Sequence, residues 1–112
     1  MNQVNLTDPG APYSPGAEES VIGSVLVDPS AFAEVAAFLN ADDFFLLRHN
    51  YIWQCFERLH ARSEVIDYVT VTEELENHKL LDQVGGRPYL IQLLNNTPTA
   101  VHAQAYGRMV ER

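Results

Sequence analysis

Lysine occurs once in this chain, at Lys79, and cysteine once, at Cys55. The 112 residues carry 7 basic and 15 acidic side chains, for a formal net charge of -8. Gripping nucleic acid takes clustered Lys and Arg to neutralise phosphates, so this balance argues against direct DNA or RNA binding by the chain alone. One cysteine permits no internal disulfide and fits a reducing compartment. No apolar run approaches the roughly 20 residues that span a bilayer. The N-terminus lacks the basic segment and apolar run of a secretory signal. The phosphate-loop pattern G-x-x-x-x-G-K-[ST] is missing, so no ATP site is expected. No stretch sustains the two-residue alternation of a half-buried strand. Val65 to Val71 comes nearest, and a helix start claims its end. These absences predict a soluble, cytoplasmic, all-α domain with no metal or cofactor of its own.

What is present is apolar residues at helical spacing. The chain is 46% hydrophobic, which suits a single domain with a core of ordinary size. Residues 1–13 contain two prolines and no periodicity, and read as a flexible tail before a helical domain over 14–112. Ser14-Pro15 opens a first helix, with serine as cap and proline in the first turn. Val21, Ile22, Val25 and Leu26 form its inner face, and Glu18 and Glu19 sit at its positive end. Gly23, in mid-helix, is expected where a neighbour packs closely. Asp28-Pro29 ends this helix and caps a second, with Phe32, Val35, Ala36 and Leu39 inward and Asn40 as a left-handed stop. Ala41 to Phe45 then makes a turn with two aromatic plugs. A third helix, from about Arg48 to Ala61, turns Ile52, Cys55, Phe56 and Leu59 inward.

The firmest punctuation lies between Ile66 and Ala100. Thr70 followed by Glu73 has the spacing of a capping box, so a fourth helix is expected to start at Thr70, with Val71 and Leu75 inward. Gly85-Gly86 stops the chain and Pro88 suits the first turn of a fifth helix, which buries Leu90, Leu93 and Leu94. Thr97-Pro98 repeats the device and is expected to open a sixth helix with Ala105, Tyr106, Met109 and Val110 on one face, still helical at Arg112. The fold class is therefore all-α, a bundle of about six short helices.

Little in this pattern supports catalysis. His49, His60, His78 and His102 lack the spacing of a ligand pair, and structural roles are expected for them. Asp42 and Asp43 are sequence neighbours that point apart, which favours turn capping over acid–base work. Cys55 sits on an apolar stripe and reads as a buried, inert thiol. Glu73 is given to the cap, while Glu74 and Glu76 are expected on an outer face. Tyr89 stands apart. It follows Pro88 on the first turn of the fifth helix, beside the Leu90 face, where its ring serves equally well as a partner contact or as a core-edge tyrosine with a satisfied hydroxyl.

Five motifs then fall into register: Glu19-Ser20-Val21-Ile22-Gly23, Ala41-Asp42-Asp43-Phe44-Phe45, Ile66-Asp67-x-Val69-Thr70 through Leu75-Glu76, Gly85-Gly86-x-x-Tyr89-Leu90, and Asn96-Thr97-Pro98-Thr99-Ala100. In this order and spacing the chain resembles the N-terminal domain of the replicative DNA helicase family DnaB, from Ser14 to Arg112. The resemblance implies a non-catalytic module of the primosome in DNA replication. It would form a collar of paired subunits in a hexamer and contact primase and, in some lineages, a loader. It also implies that ATP and Mg belong to a separate motor domain, that Tyr89 lies near the primase-facing surface, and that a subunit-pairing helical hairpin follows Arg112. The helicase-binding domain of primase, with a similar helical fold, is the alternative. Departures occur at Gly16, where a glutamate is common, at Arg62-Ser63-Glu64-Val65, where Gly and Pro are frequent, and at His102, where asparagine is frequent.

Overall fold

Ser14 begins the part of the chain described by the computed structural model, residues 14–112, and it caps the first helix as its sequence predicts. Its hydroxyl oxygen accepts from the Ala17 amide at 3.2 Å, and Pro15 takes the first helical position. The expected N-terminal tail, residues 1–13, lies outside the described residues. Helix α1 spans Pro15–Val27 and α2 Ser30–Ala36. A short 3-10 turn, Ala41–Asp43, leads to α3, Leu47–Ala61. Helices α4 (Tyr68–Asn77), α5 (Gly86–Asn95) and α6 (Ala103–Val110) complete an all-α architecture with no strand among the described residues.

Helix α1 is the centre of the packing, in contact with α2, α3, α5 and α6. Val21, Ile22 and Val25 are fully buried, and Ile52, Trp53, Phe56, Val71, Leu75 and Leu90 close the core around them. Burying an aliphatic or phenyl side chain of this size is worth about 1.5–3 kcal/mol relative to leaving it exposed. Phe32, Phe44 and Phe56 surround the Trp53 ring at centroid distances of 5.1, 5.1 and 5.5 Å. Gly23 is where α1 meets the end of α5. A Cβ there would lie 2.0 Å from Thr97 Oγ1 and 3.0 Å from the Leu93 carbonyl oxygen, so the close approach requires glycine.

Several local expectations need correction. The cap of α4 is Asp67, not Thr70: Asp67 Oδ1 accepts from the Thr70 amide at 2.9 Å, while Thr70 Oγ1 accepts from the Asp67 amide at 3.0 Å. Thr70 thus sits three residues inside the box and Glu73 is exposed, because aspartate caps at least as well as threonine and moves the start toward Tyr68. Thr97-Pro98 does not open α6. Thr97 is buried and its hydroxyl donates back to the Leu93 carbonyl at 2.9 Å, closing α5. The inner face of α6 is Ala103, Gly107 and Val110, whereas Ala105 and Met109 are exposed. Gly107 faces inward because a Cβ there would come within 3.0 Å of Val35 and 3.1 Å of Phe38, so the smallest residue rather than the greasiest sets that face. The helix ends at Val110, and Arg112 turns away to donate from its amide to Asp43 Oδ1. Asn40 is extended, not left-handed, and caps the 3-10 turn. Only Phe44 plugs the core, Phe45 being about half exposed, and Ala36 faces outward.

Candidate interaction site

Helix α3 begins without a cap of its own, since Leu46 at the capping position has no side-chain oxygen. Glu18 of α1 supplies one from a distance. Its Oε2 accepts from the Phe45 amide at 2.6 Å and its Oε1 from the Leu46 amide at 3.3 Å. A carboxylate is favoured here by the partial positive charge of the helix N-terminus. The same Oε1 accepts from His49 Nδ1 at 2.7 Å, with both side chains buried. On the other edge of the imidazole, Nε2 lies 2.5 Å from the Tyr89 hydroxyl oxygen. The His49 and Tyr89 rings are nearly parallel, 16° between planes, with centroids 5.9 Å apart. A chain of three side chains therefore runs from α1 through α3 to α5.

Tyr89 stands at the outer end of this chain. Two glycines place it. Gly85 has φ +109° and Gly86 φ +72°, both in the left-handed region open to glycine, and together they turn the chain into α5. A Cβ on Gly85 would lie 2.8 Å from Tyr89 Cβ, so the bare backbone is the floor on which the tyrosine packs. Pro88, exposed in the first turn, precedes it without loss of a hydrogen bond. The ring is half-buried against the core, and the exposed Arg48 guanidinium lies 4.8 Å from its centroid. Burial raises the phenol pKa above its ordinary value, with Arg48 opposing and Glu19 adding to the rise.

At the far end of α3 a second polar group closes. Glu74 is buried, contrary to the outer face expected for it, and accepts from Arg58 Nε at 2.7 Å and from Arg62 Nη2 at 2.7 Å. His78 Nε2 lies 3.1 Å away. The Arg62 hydrogen bond, with help from Arg58 and against the effect of burial, holds the Glu74 carboxyl down at about 2. Nearby, Ser63 takes φ 58° in the Arg62 to Val65 loop, a conformation glycine adopts more readily. Cys55 is buried with its thiol pushed up to about 12, chiefly by burial, so it is a poor nucleophile.

Of the predicted residues, the fold gathers Gly85, Gly86, Pro88 and Tyr89 at one corner. Asp67 and Thr70 mark the start of α4, and Thr97 and Pro98 lie by the end of α5. His49 is buried with a partner on each ring nitrogen, and His60 packs beside Phe32 at 5.0 Å. Among the described residues, no three His, Cys, Asp or Glu side chains form a group that could hold a metal. No described helix is long and apolar enough to cross a membrane. The parts missed from sequence are Glu18 and Glu74. Glu18 lies three and four residues before Val21 and Ile22, on the projection of the buried face, and that placement was the available clue.

The profile for "DnaB-like helicase N terminal domain" matches residues 10–112. The chain is 39% identical over 106 residues to the replicative DNA helicase DnaC of Bacillus subtilis, covering 95% of this chain and 23% of that protein. It is 38% identical over 100 residues to the replicative DNA helicase DnaB of Geobacillus stearothermophilus, covering 89% of this chain and 22% of that one. It thus spans under a quarter of the length of these relatives. The crystal structure of the N-terminal domain of DnaB helicase from Mycobacterium tuberculosis superposes with a TM-score of 0.86 at 37% identity, over 89% of this chain and 69% of that one. Sequence, fold and the order of the motifs agree, and the chain belongs to the family of DnaB-like helicase N-terminal domains.

Proposed function

We propose that this chain is the non-catalytic assembly and partner-binding domain of a replicative, hexameric DNA helicase. It would act in the cytoplasm, support the ring by pairing with neighbouring subunits, and present a surface to primase and, where one is used, a helicase loader. ATP and Mg would be held by a motor domain outside this sequence. The observation that carries the reading is the family match over residues 10–112. Two features of the molecule support it. The buried side chains Glu18 and His49 are tied to each other, to backbone and to Tyr89, and Glu74 is tied to Arg58 and Arg62, which suits positioning rather than turnover. Leu47 and Val101 are well exposed, and the Tyr89 edge stands rigidly at a helix start, which lowers the ordering loss on binding. A net charge of -8 favours protein partners over phosphate backbones.

The test uses the purified chain. ATP turnover and duplex DNA binding at physiological salt are expected to be absent. Titration calorimetry against the C-terminal domain of the cognate primase is expected to give saturable heat. ATP hydrolysis by the chain, or the absence of any primase binding, contradicts the reading.

A further inference from the structure

The Glu18–His49–Tyr89 chain decides what the Tyr89 hydroxyl offers to a partner. Glu18 accepts from the Phe45 and Leu46 amides through its two oxygens, which is the behaviour of an ionised carboxylate. An ionised carboxylate has no proton to give, so the 2.7 Å contact with His49 requires Nδ1 to carry a hydrogen and donate it to Oε1. Nε2 then either accepts, if the ring is neutral, or donates, if the ring is charged. His49 occupies the third position of α3, where the helix dipole disfavours a cation, and the Arg48 guanidinium is close by over Tyr89. Glu18 and Glu19 on α1 act in the opposite sense, but Glu18 already takes two backbone amides. The Tyr89 phenol keeps its proton at neutral pH, because burial raises its pKa. That proton needs an acceptor, and Nε2 stands 2.5 Å away.

We infer that Glu18 and His49 are positioning residues for Tyr89. They hold a neutral Nδ1–H imidazole whose Nε2 accepts the tyrosine proton, so the hydroxyl oxygen is left as an acceptor at the surface, beside the exposed Arg48 guanidinium that also hydrogen-bonds to it. A partner that recognises the Tyr89 oxygen by hydrogen bonding must then bring a donor that joins or displaces Arg48, an N–H, a hydroxyl, an alkylammonium or a guanidinium group, and a carboxylate is rejected at that oxygen. This assignment rests on the reading of Tyr89 as a partner contact only for its last step. The internal geometry stands without it.

The first test reads the histidine tautomer in the folded protein. Long-range proton–nitrogen spectra of the nitrogen-labelled full chain near pH 7.5 report the tautomer of each histidine. His49, identified by the resonances that move in Tyr89→Phe, is expected to show a protonated Nδ1 and a bare Nε2, with Nε2 shifting when the tyrosine hydroxyl is removed. Two protonated nitrogens, or a proton on Nε2 alone, overturns the inference. The second test is affinity for the C-terminal domain of the cognate primase. Tyr89→Phe keeps the ring and removes the acceptor, and is expected to bind about three- to tenfold more weakly. Wild-type affinity in Tyr89→Phe with loss in Tyr89→Ala overturns the acceptor assignment. Wild-type affinity in both, with the tautomer as expected, refutes the partner reading alone and leaves the positioning chain intact.

Two further variants separate positioning from bulk structure. In His49→Asn the amide overlays Nδ1, keeping the Glu18 bond and cutting the link to Tyr89. In His49→Gln it overlays Nε2 and keeps that link. Weaker binding in folded His49→Asn, restored in His49→Gln, is expected. Equal behaviour of the two in the folded state contradicts a positioning role.

Discussion

The two ends of α3 solve one problem in different ways. Each buries a glutamate from another helix, and the two anchor points, His49 and Arg58, are about 14 Å apart along the axis. At the N-terminal end Glu18 is held by backbone amides and an imidazole, fixed in place by the fold. At the C-terminal end Glu74 is held by Arg58 and Arg62, whose side chains are 27% and 45% exposed. Amides at a helix start cannot swing into water if their acceptor is lost, whereas the Arg62 side chain can, and Arg58 in part. The first arrangement therefore makes a rigid platform, with Tyr89 at its edge. The second joins α3 to α4 with a link that is open to salt and acid.

Breaking each carboxylate exposes this difference. Glu18→Ala removes the acceptor of two part-buried amides and of the buried His49 Nδ1 proton, and is expected to destabilise the fold by about 3–5 kcal/mol, read from the urea midpoint. Glu74→Ala leaves Arg62 free to reach water and Arg58 partly so, its Nη2 being buried, and about 1–2 kcal/mol is expected. A larger loss for Glu74→Ala than for Glu18→Ala would invert the account.

Acid sharpens the contrast. The Glu74 pKa is depressed in the folded state, from an ordinary 4.5 to about 2. Its stabilisation is therefore fully present above the unfolded value and is lost as pH falls from about 4.5 toward 2. Glu74→Gln is expected to flatten the stability profile in that window, and raised salt to shrink the difference between wild type and variant. An unaltered acid limb in Glu74→Gln contradicts the ion-pair assignment. The smallest effect concerns the start of α4. Asp67→Ala is expected to lower stability by about 1 kcal/mol. Glu73→Ala, at an exposed position, is expected to stay within about 0.5 kcal/mol of wild type. Thermal melts that rank these two in reverse would restore the threonine-centred cap.

The helices were legible because their inner faces carry unambiguous apolar spacing, as in Ile52, Cys55, Phe56 and Leu59, and because Ser14-Pro15 and Gly85-Gly86 mark boundaries by local chemistry. Sequence and structure part where one residue type serves two ends of a helix. Thr97 is used on the carbonyl side of α5 and Thr70 inside a box begun by Asp67, and spacing alone does not separate these uses. Apolar spacing does not reveal the inner face of α6, because Gly107 is buried for its small size. Tyr89 was legible as a special position, but its satisfied hydroxyl was not, since its partner His49 lies 40 residues away and the anchor Glu18 a further 31. Long-range pairing of buried polar groups leaves no local pattern, only the placement of a charge on an apolar stripe.

The most direct test of the difference between the two ends is a calorimetric titration of the C-terminal domain of the cognate primase into wild type, Tyr89→Ala and Glu74→Ala, each checked by thermal melting. Tyr89→Ala is expected to weaken binding by more than about 1 kcal/mol, roughly fivefold or more, while staying folded. Glu74→Ala is expected to melt earlier and, below its transition, to bind like wild type. Wild-type affinity in Tyr89→Ala, or an equal loss in both variants, would contradict a partner surface built on the N-terminal end of α3.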